Sequence, residues 1–141
     1  MKIIDAHLHI FPDSDSAPAA CQADTLESLR QLYAPLGIVH GVVMGNRSLA
    51  LEYHNYPPDL LHYCVGLDGR MLPGGGAPPD LTAQVEAHLR RKNCCGIKLY
   101  PGYNRISLSA PMYQPIYELA QFYQKPVAVH MGLTVFAKAH L

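Results

Sequence analysis

The sequence of 141 residues lacks an excess of charge of either sign. Eleven basic residues balance eleven acidic ones, and the one basic cluster, Arg90–Lys92, lies at the end of a predicted helix. Cations at that position complement the helix dipole, so the cluster needs no external partner. We therefore expect neither nucleic acid nor an anionic membrane to bind this protein.

Long apolar segments are also missing. No run approaches the ~18 apolar residues of a membrane span. Met1-Lys2 leads straight into a short strand-like segment, without the apolar stretch and cleavage site of a secretory signal. These absences predict a cytoplasmic protein without a membrane-spanning helix.

The four cysteines lack the CxxC spacing of a zinc or redox motif. Two of them, Cys94 and Cys95, are neighbours in the sequence and could not easily form a disulfide with each other. The other two are Cys21 and Cys64. This pattern predicts thiols that are reduced and buried.

The composition is that of a folded protein. Hydrophobic residues make up 49% of the chain and charged residues 16%, values typical of globular proteins. A chain of this length can form one domain with a sizeable core, but not two ordinary domains. We predict a single domain over residues 1–141.

The segment Ile3–Phe11 has the clearest functional signal in the sequence, because polar and apolar residues alternate along it. In a β-strand this alternation places Asp5, His7 and His9 on one face and the apolar residues on the other. Imidazoles two residues apart lie roughly 6.5–7 Å apart along the backbone, and they can lean onto one divalent ion. A nearby carboxylate either binds the ion or orients an imidazole. The alternative is an exposed polar face on an edge strand, but the apolar opposite face indicates an interior strand.

Apolar segments of strand length recur along the chain, and helical patterns lie between them. The predicted strands start near Lys2, Ile38, Leu60, Cys95 and Val127. The predicted helices cover Leu26–Leu36, Asn46–Tyr56, the segment after Asp80 and the segment after Ser109. Asp24 or Thr25 caps the first helix and Gly37 closes it, while Asp80 and Ser109 cap the later two.

The regular alternation of strand and helix predicts right-handed βαβ units and a parallel sheet. Eight such units would need roughly 250 residues. We therefore predict an α/β fold that is an incomplete (β/α)8 TIM barrel, with about the first five parallel strands and the helices between them.

Two histidines outside the first strand are interpreted as structural. His40 lies near the start of the second strand, at the opposite end from the expected chemistry, so we predict that it packs or forms hydrogen bonds. His88 is predicted to lie on the surface of the helix that follows Asp80. By contrast, His130 stands at the carboxyl end of the fifth strand, where barrel enzymes place their chemistry.

A lysine interrupts the apolar fourth strand. Because burying an unpaired ammonium group is unfavourable, Lys98 needs a specific environment. Its side chain either extends to the strand end or forms a structural pair with a carboxylate. In the functional alternative it lies inside the barrel as a substrate ligand, a base or a carboxylated bridge between two metals. We favour a role in the site.

Three motifs occur in order along the chain: Asp-x-His-x-His at Asp5–His9, Gly-Ile-Lys-Leu-Tyr-Pro at Gly96–Pro101 and Pro-Val-Ala-Val-His-Met-Gly at Pro126–Gly132. Together they resemble the N-terminal half of the amidohydrolase superfamily, and in particular its amidohydrolase-related branch. That branch includes aminocarboxymuconate-semialdehyde decarboxylase, resorcylate decarboxylases and pyrone-dicarboxylate lactonase. The resemblance covers essentially the whole chain.

The resemblance implies a divalent metal, with zinc as the expected ion. It implies that His7 and His9 bind the metal, that Asp5 belongs to the same metal site, and that His130 is a third ligand or lies beside it. Lys98 would face the same cavity, and Lys98 and His130 are the implied catalytic residues. The family's sixth-strand histidine and eighth-strand aspartate have no counterpart here, so we expect a fragment that is inactive alone.

Several functions remain open. The resemblance implies metal-assisted hydrolysis of a small carboxylated or cyclic amide or ester substrate, or decarboxylation by an enzyme of the same family. A third hypothesis is a non-catalytic half-barrel that assembles with another copy as a homo-oligomer or with the missing C-terminal half. A phosphoesterase using the His-x-His motif fits less well, because the two later motifs resemble the decarboxylase branch.

Overall fold

The computed structural model describes residues 1–10, 25–45, 47–67 and 78–131. Five parallel strands form one sheet in the order β1-β2-β3-β4-β5. They are β1 (Ile3–Leu8), β2 (Ile38–Met44), β3 (Leu61–Leu67), β4 (Cys94–Leu99) and β5 (Val127–Val129). Each strand pairs with the one before it, as in the consecutive strands of a (β/α)8 barrel. The prediction of an incomplete barrel with five parallel strands is confirmed.

Helices lie between the strands. They are α1 (Leu26–Leu36), α2 (Leu81–Leu89), α3 (Pro101–Asn104) and α4 (Gln114–Phe122), with 3-10 turns at Leu51–His54 and Pro111–Tyr113. In the part of the chain that the structure describes, every helix is too short or too polar to span a bilayer. The assignment of residues 1–141 to a single domain stays a prediction.

The start and end of α1 follow from local hydrogen bonds. Thr25 is the N-cap: its Oγ1 accepts a hydrogen bond from the backbone N–H of Ser28 at 3.0 Å, and its own N–H donates to Ser28 Oγ at 3.1 Å. This reciprocal capping box identifies Thr25 as the cap, where the sequence had left Asp24 and Thr25 open. Gly37 ends the helix with φ of 69°, a left-handed conformation that glycine adopts without strain.

The core lies on the helix side of the sheet. Leu61, Tyr63, Val65 and Leu67 of β3 alternate toward it and are fully buried, because the helices cover this face of the parallel sheet. The helices contribute Leu81, Val85, Leu89, Ile116 and Ala120. The helices predicted after Asp80 and Ser109 therefore pack an apolar face on the sheet.

Strand β1 differs from its predicted environment. It lies at the edge of the five-stranded sheet, and Ile4 is 61% exposed. An interior strand with a covered apolar face was the expectation, and within the described residues that expectation is wrong. The alternating pattern records which residues share a face, but it does not reveal whether a neighbour covers that face.

The segment before β3 also differs from the prediction. A helix was expected over Asn46–Tyr56, but the described residues form only the 3-10 turn Leu51–His54. The carbonyl groups that precede the turn accept hydrogen bonds from side chains instead of from helical N–H groups. Ser48 O accepts from His54 Nε2 at 2.9 Å, and Leu49 O accepts from His88 Nε2 at 2.8 Å.

Among the helical residues, the environment of His88 differs most from its prediction. It was predicted on the surface of α2, yet it is 0% exposed. Because Nε2 donates to Leu49 O, Nδ1 accepts from the Tyr63 hydroxyl at 2.9 Å. Both ring nitrogens thus have partners, which is the condition under which a histidine can be buried.

Two other helix starts were predicted imperfectly. Asp80 precedes α2 but its side chain makes no cap hydrogen bond and accepts instead from Gln84 Nε2 at 2.7 Å. Ser109 shares a hydrogen bond with Ser107 at 2.8 Å, and α4 begins at Gln114, after the 3-10 turn. Glu86 and Arg90, four residues apart along α2 and its C-cap, form an ion pair at 2.8 Å.

Candidate active site

The parallel strands bring four predicted site residues to one region. His7 and His9 come from β1, Lys98 from β4, and His130 directly follows β5. The charges of Lys98 and His7 both act on His130, and those of His7, Lys98 and His130 all act on His9. The side chains from opposite edges of the sheet therefore lie close enough to interact. The barrel interior is the face on which they meet, because the flanking Ile97 and Leu99 of β4 point to the helices.

His7 and His9 form an imidazole pair. Their ring centres lie 5.3 Å apart, with an angle of 67° between the ring planes. Two imidazoles that bind one tetrahedral ion at about 2.0–2.1 Å have ring centres about 5 Å apart, so this spacing fits a shared ion.

Both imidazoles are disposed to be neutral. Burial, followed by the charge of Lys98, lowers the pKa of His7, and Asp5 opposes this change. Burial, followed by His7 and Lys98, lowers the pKa of His9. Neutral imidazole is the form that binds metal ions, so the environment favours the required protonation state.

Lys98 is buried within β4, with 2% of its surface exposed. Burial lowers its pKa, and the neighbouring Cys64 partly opposes the change. Its Nζ lies 5.4 Å from the centre of the Tyr100 ring, and no ion pair with a carboxylate is present among the described residues. The side chain therefore does not reach solvent, and neither structural alternative considered for it applies within this part of the chain.

His130 is held by two tyrosines that follow β4 and that the sequence did not single out. Its Nε2 lies 3.2 Å from the Tyr103 hydroxyl, and its ring stacks with Tyr100 at 5.9 Å between centres. Its backbone N–H donates to Leu99 O at 2.9 Å. The signal that could have identified both tyrosines was their position after the carboxyl end of a barrel strand, where site residues are concentrated.

Asp5 departs from the predicted row of three polar side chains. Its Oδ2 accepts a hydrogen bond from the Tyr33 hydroxyl of α1 at 2.9 Å, and its Oδ1 accepts from the backbone N–H of His7 at 3.1 Å. The pairing of β1 with β2 is irregular between Asp5 and Leu8, so strict alternation breaks at this point. The carboxylate is thus directed toward α1, and it fixes the backbone of His7.

A family model described as amidohydrolase matches residues 4–141. The chain belongs to the amidohydrolase family. Among solved structures, a crystal structure of an amidohydrolase II is similar to this amidohydrolase chain, with a TM-score of 0.64 and 16% sequence identity. The match covers 94% of this chain and 51% of that one, so this chain spans about half the length of the solved relative. A likeness at this identity establishes the fold alone. No curated protein matches the chain.

Amidohydrolases typically bind divalent metals, and the donor set of this amidohydrolase fits such an ion in part. The imidazole pair of His7 and His9 has a suitable spacing and protonation state. Among residues 1–10, 25–45, 47–67 and 78–131, however, no three or more His, Cys, Asp or Glu side chains are placed to hold one ion. The full set of Asp5, His7, His9 and His130 stays a prediction, as do the catalytic roles of Lys98 and His130.

Proposed function

We propose that this amidohydrolase chain carries the first part of a metal-dependent hydrolase site that acts on a small carboxylated or cyclic amide or ester substrate. The observation that carries the proposal is the convergence of the His7–His9 pair with Lys98 and His130 inside the sheet. Three different strands contribute these side chains at one place, as strands do in barrel enzymes. A merely structural polar cluster would not need an ammonium group that, among the described residues, has no carboxylate partner.

His7 and His9 would hold a zinc ion, with His130 as the third protein ligand. When bound, zinc supplies Lewis-acid activation of water and of a carbonyl group. Asp5 acts as a positioning residue, because its bond to the backbone of His7 sets the direction of the imidazole that follows. Tyr103 orients the ring of His130 directly, because its hydroxyl group forms a hydrogen bond with His130 Nε2.

Lys98 would bind the substrate rather than the metal. Its buried ammonium group has an aromatic neighbour but no carboxylate partner among the described residues. A substrate carboxylate would supply the opposite charge beside this buried ammonium group, where such a pair is strong. This reasoning supports an anionic substrate, and it applies to hydrolysis and to decarboxylation alike.

Decarboxylation is the second candidate. The motif at Gly96–Pro101, which contains Lys98, and the motif at Pro126–Gly132 favour the branch of aminocarboxymuconate-semialdehyde decarboxylase. We propose further that residues outside these 141 complete the site, either from the rest of a full-length barrel or from a second copy of the chain. The cytoplasmic location stays a prediction.

Zinc binding tests the proposal directly. The wild-type protein, stripped with a chelator and titrated with zinc, is expected to bind about one ion weakly, because an incomplete ligand set gives an incomplete site. A His7→Ala, His9→Ala double variant should lose this binding. The matched control is His40→Ala, His62→Ala, since these rings form a similar pair with centres 5.1 Å apart.

The outcome of the titration decides the assignment. Equal zinc binding by the wild type and the His7/His9 double variant would refute it, as would loss of binding in the His40/His62 control. For the reaction itself, the zinc-loaded full-length protein should be given carboxylated esters and aromatic carboxylates. Release of an acid from the ester supports hydrolysis, whereas release of carbon dioxide from the aromatic acid supports the second candidate.

A further inference from the structure

Two cysteines from neighbouring strands lie together next to Lys98, and the proposed function does not use them. Cys64 is on β3 and Cys95 is on β4, and their sulfur atoms are 3.8 Å apart. Both are free thiols. Sequence analysis could not find this pair, because the two residues are 31 positions apart in the chain.

An irregularity in the sheet creates the pair. Tyr63 lies opposite Cys94, whereas the next residue, Cys64, lies opposite Gly96, so β4 has one extra residue at this point. Such a bulge redirects a side chain, here that of Cys95, toward the strand beside it. Gly96 leaves the necessary space, because a Cβ atom there would lie 3.1 Å from Cys64 Sγ.

The two thiols have different environments. Cys64 is 3% exposed, whereas Cys95 is only partly buried and is the more accessible of the two. Either thiol can donate the hydrogen bond between them, and Cys95 Sγ also lies 3.4 Å from Tyr63 O. With Cys64 as the donor, this bond lowers the pKa of Cys95, and the charge of Lys125 contributes in the same direction. The same bond raises the pKa of Cys64. Cys95 therefore has the character of an attacking thiolate, and Cys64 that of a thiol that reacts second.

The neighbouring Cys94 provides a contrast. It is 1% exposed in the core, and its Sγ donates to Gly96 O at 3.5 Å. Burial raises the pKa of Cys94, which belongs to the hydrophobic core. A buried thiol of this kind is inert.

We propose that Cys64 and Cys95 are a redox-active thiol pair that reacts with small-molecule disulfides and closes to a disulfide across β3 and β4. This inference does not depend on the proposed function. The sulfur atoms must approach from 3.8 Å to about 2.05 Å, which needs a change in the cysteine side-chain rotamers and a small shift of the bulge.

The reaction has two exchange steps. The Cys95 thiolate attacks one sulfur of the small disulfide, whose S–S bond breaks, and the first small thiolate leaves and takes up a proton. Cys64 then loses its proton and attacks the Cys95 sulfur of the mixed disulfide, and the second small thiolate leaves and is protonated. The two cysteines lose two electrons in total, and the small disulfide is reduced to two thiols.

The test uses the 141-residue protein with Cys21→Ser, which removes the cysteine that lies outside the described residues. The reduced protein is incubated with glutathione disulfide, its remaining thiols are alkylated in denaturant, and intact and digested masses are measured. We expect an intact mass with one alkyl group, on Cys94, instead of the three of the fully reduced protein, together with the loss of two hydrogen atoms, and a cross-link between the peptides that contain Cys64 and Cys95. A further Cys94→Ser substitution, as the matched control, should leave the cross-link unchanged.

Single variants separate the two steps. Cys64→Ser should accumulate one glutathione on Cys95, because the second step is blocked, and Cys95→Ser should show neither product. Circular dichroism before and after addition of the disulfide establishes that each variant is folded. The proposal is overturned if the parent protein keeps all its thiols, or if its disulfide includes Cys94. It is also overturned if Cys95→Ser reacts with glutathione disulfide as fast as the parent does. If a variant does not fold, the result for the parent protein alone decides.

Discussion

Two groups of histidines lie on opposite faces of the same sheet, and their surroundings differ. On the helix side, His54 and His88 are fully buried, and each donates a hydrogen bond to a backbone carbonyl. On the inner side, His7 and His9 are less buried and lie within the influence of Lys98. Both groups are held neutral. His9 also has a hydrogen bond with the backbone of Met44, so the two groups differ in their burial and in the nearness of Lys98.

This difference shows that the groups around a histidine indicate its role. A buried ring that donates to a backbone carbonyl satisfies a group that would otherwise be unpaired, so it contributes to stability. A neutral ring beside a buried cation and a second imidazole has the protonation state that binds a metal ion. The predictions that follow test whether the helix-side histidines stabilise the fold and whether the inner residues bind ligands.

The largest effect is expected from His88→Ala. The substitution removes two buried hydrogen bonds, leaves the Tyr63 hydroxyl and Leu49 carbonyl without their partner and creates a cavity. The free energy of unfolding should fall by roughly 3–5 kcal/mol, measured by urea denaturation. His62→Ala, at a partly exposed position, is the control and should change it by less than about 1 kcal/mol. Similar losses in the two variants would break the contrast.

Acid should lower the free energy of unfolding through His54, one of the two buried histidines on the helix side. Burial lowers the pKa of His54 to about 4 from 6.5, with smaller contributions from His88, Arg47 and Arg91, while its bond to Ser48 O opposes the shift. The unfolded chain binds a proton near pH 6.5 but the folded protein does not until about pH 4. The stabilisation is therefore complete above pH 6.5 and is lost as the pH falls to 4, by on the order of 3 kcal/mol.

The measurement for this prediction is the free energy of unfolding at a series of pH values. His54→Leu removes the titrating group, so its dependence on pH should be flatter than that of the wild type between pH 6.5 and 4. Parallel curves for the two proteins would show that His54 does not titrate as proposed.

Lys98→Met should act in opposite directions on stability and binding. It replaces a buried ammonium group by an apolar side chain of similar volume, so the free energy of unfolding should rise by about 1–2 kcal/mol. Binding of carboxylated ligands, followed by calorimetry, should be lost. The control is Lys125→Met, which should destabilise the protein, because that ammonium group donates to the carbonyls of Leu89 and Cys94. A destabilised Lys98→Met protein would indicate a structural role for this lysine.

The smallest effect is expected from Tyr103→Phe, which removes the hydroxyl group beside His130 Nε2. Partners that orient a metal ligand affect metal affinity by roughly 10–100-fold, so the zinc affinity should fall by about tenfold. Stability should change little. Tyr117→Phe is the control, since that hydroxyl donates to Leu108 O away from the site, and it should leave zinc affinity unchanged. An unchanged affinity in both variants would remove His130 from the proposed ligand set.

The sequence predicted the framework of this fold because apolar runs, caps and breakers are local signals. Thr25 and Gly37 mark the ends of α1 in this way, and the isolated Lys98 marked an unusual environment within a buried strand. What it could not predict depends on distant partners. The direction of Asp5 depends on Tyr33 and on an irregular register, and the burial of His88 depends on a carbonyl group in a non-helical segment.

The strand order has a consequence for how the protein is made. Each described strand after β1 pairs with the one that precedes it, and within the described residues no strand is inserted between two earlier ones. Each pairing therefore closes only the segment between two consecutive strands, which costs less entropy than a pairing that spans the whole chain. During synthesis on the ribosome, each βα unit can dock onto the units already made as it emerges, so the nascent polypeptide can acquire its structure progressively from the N-terminus.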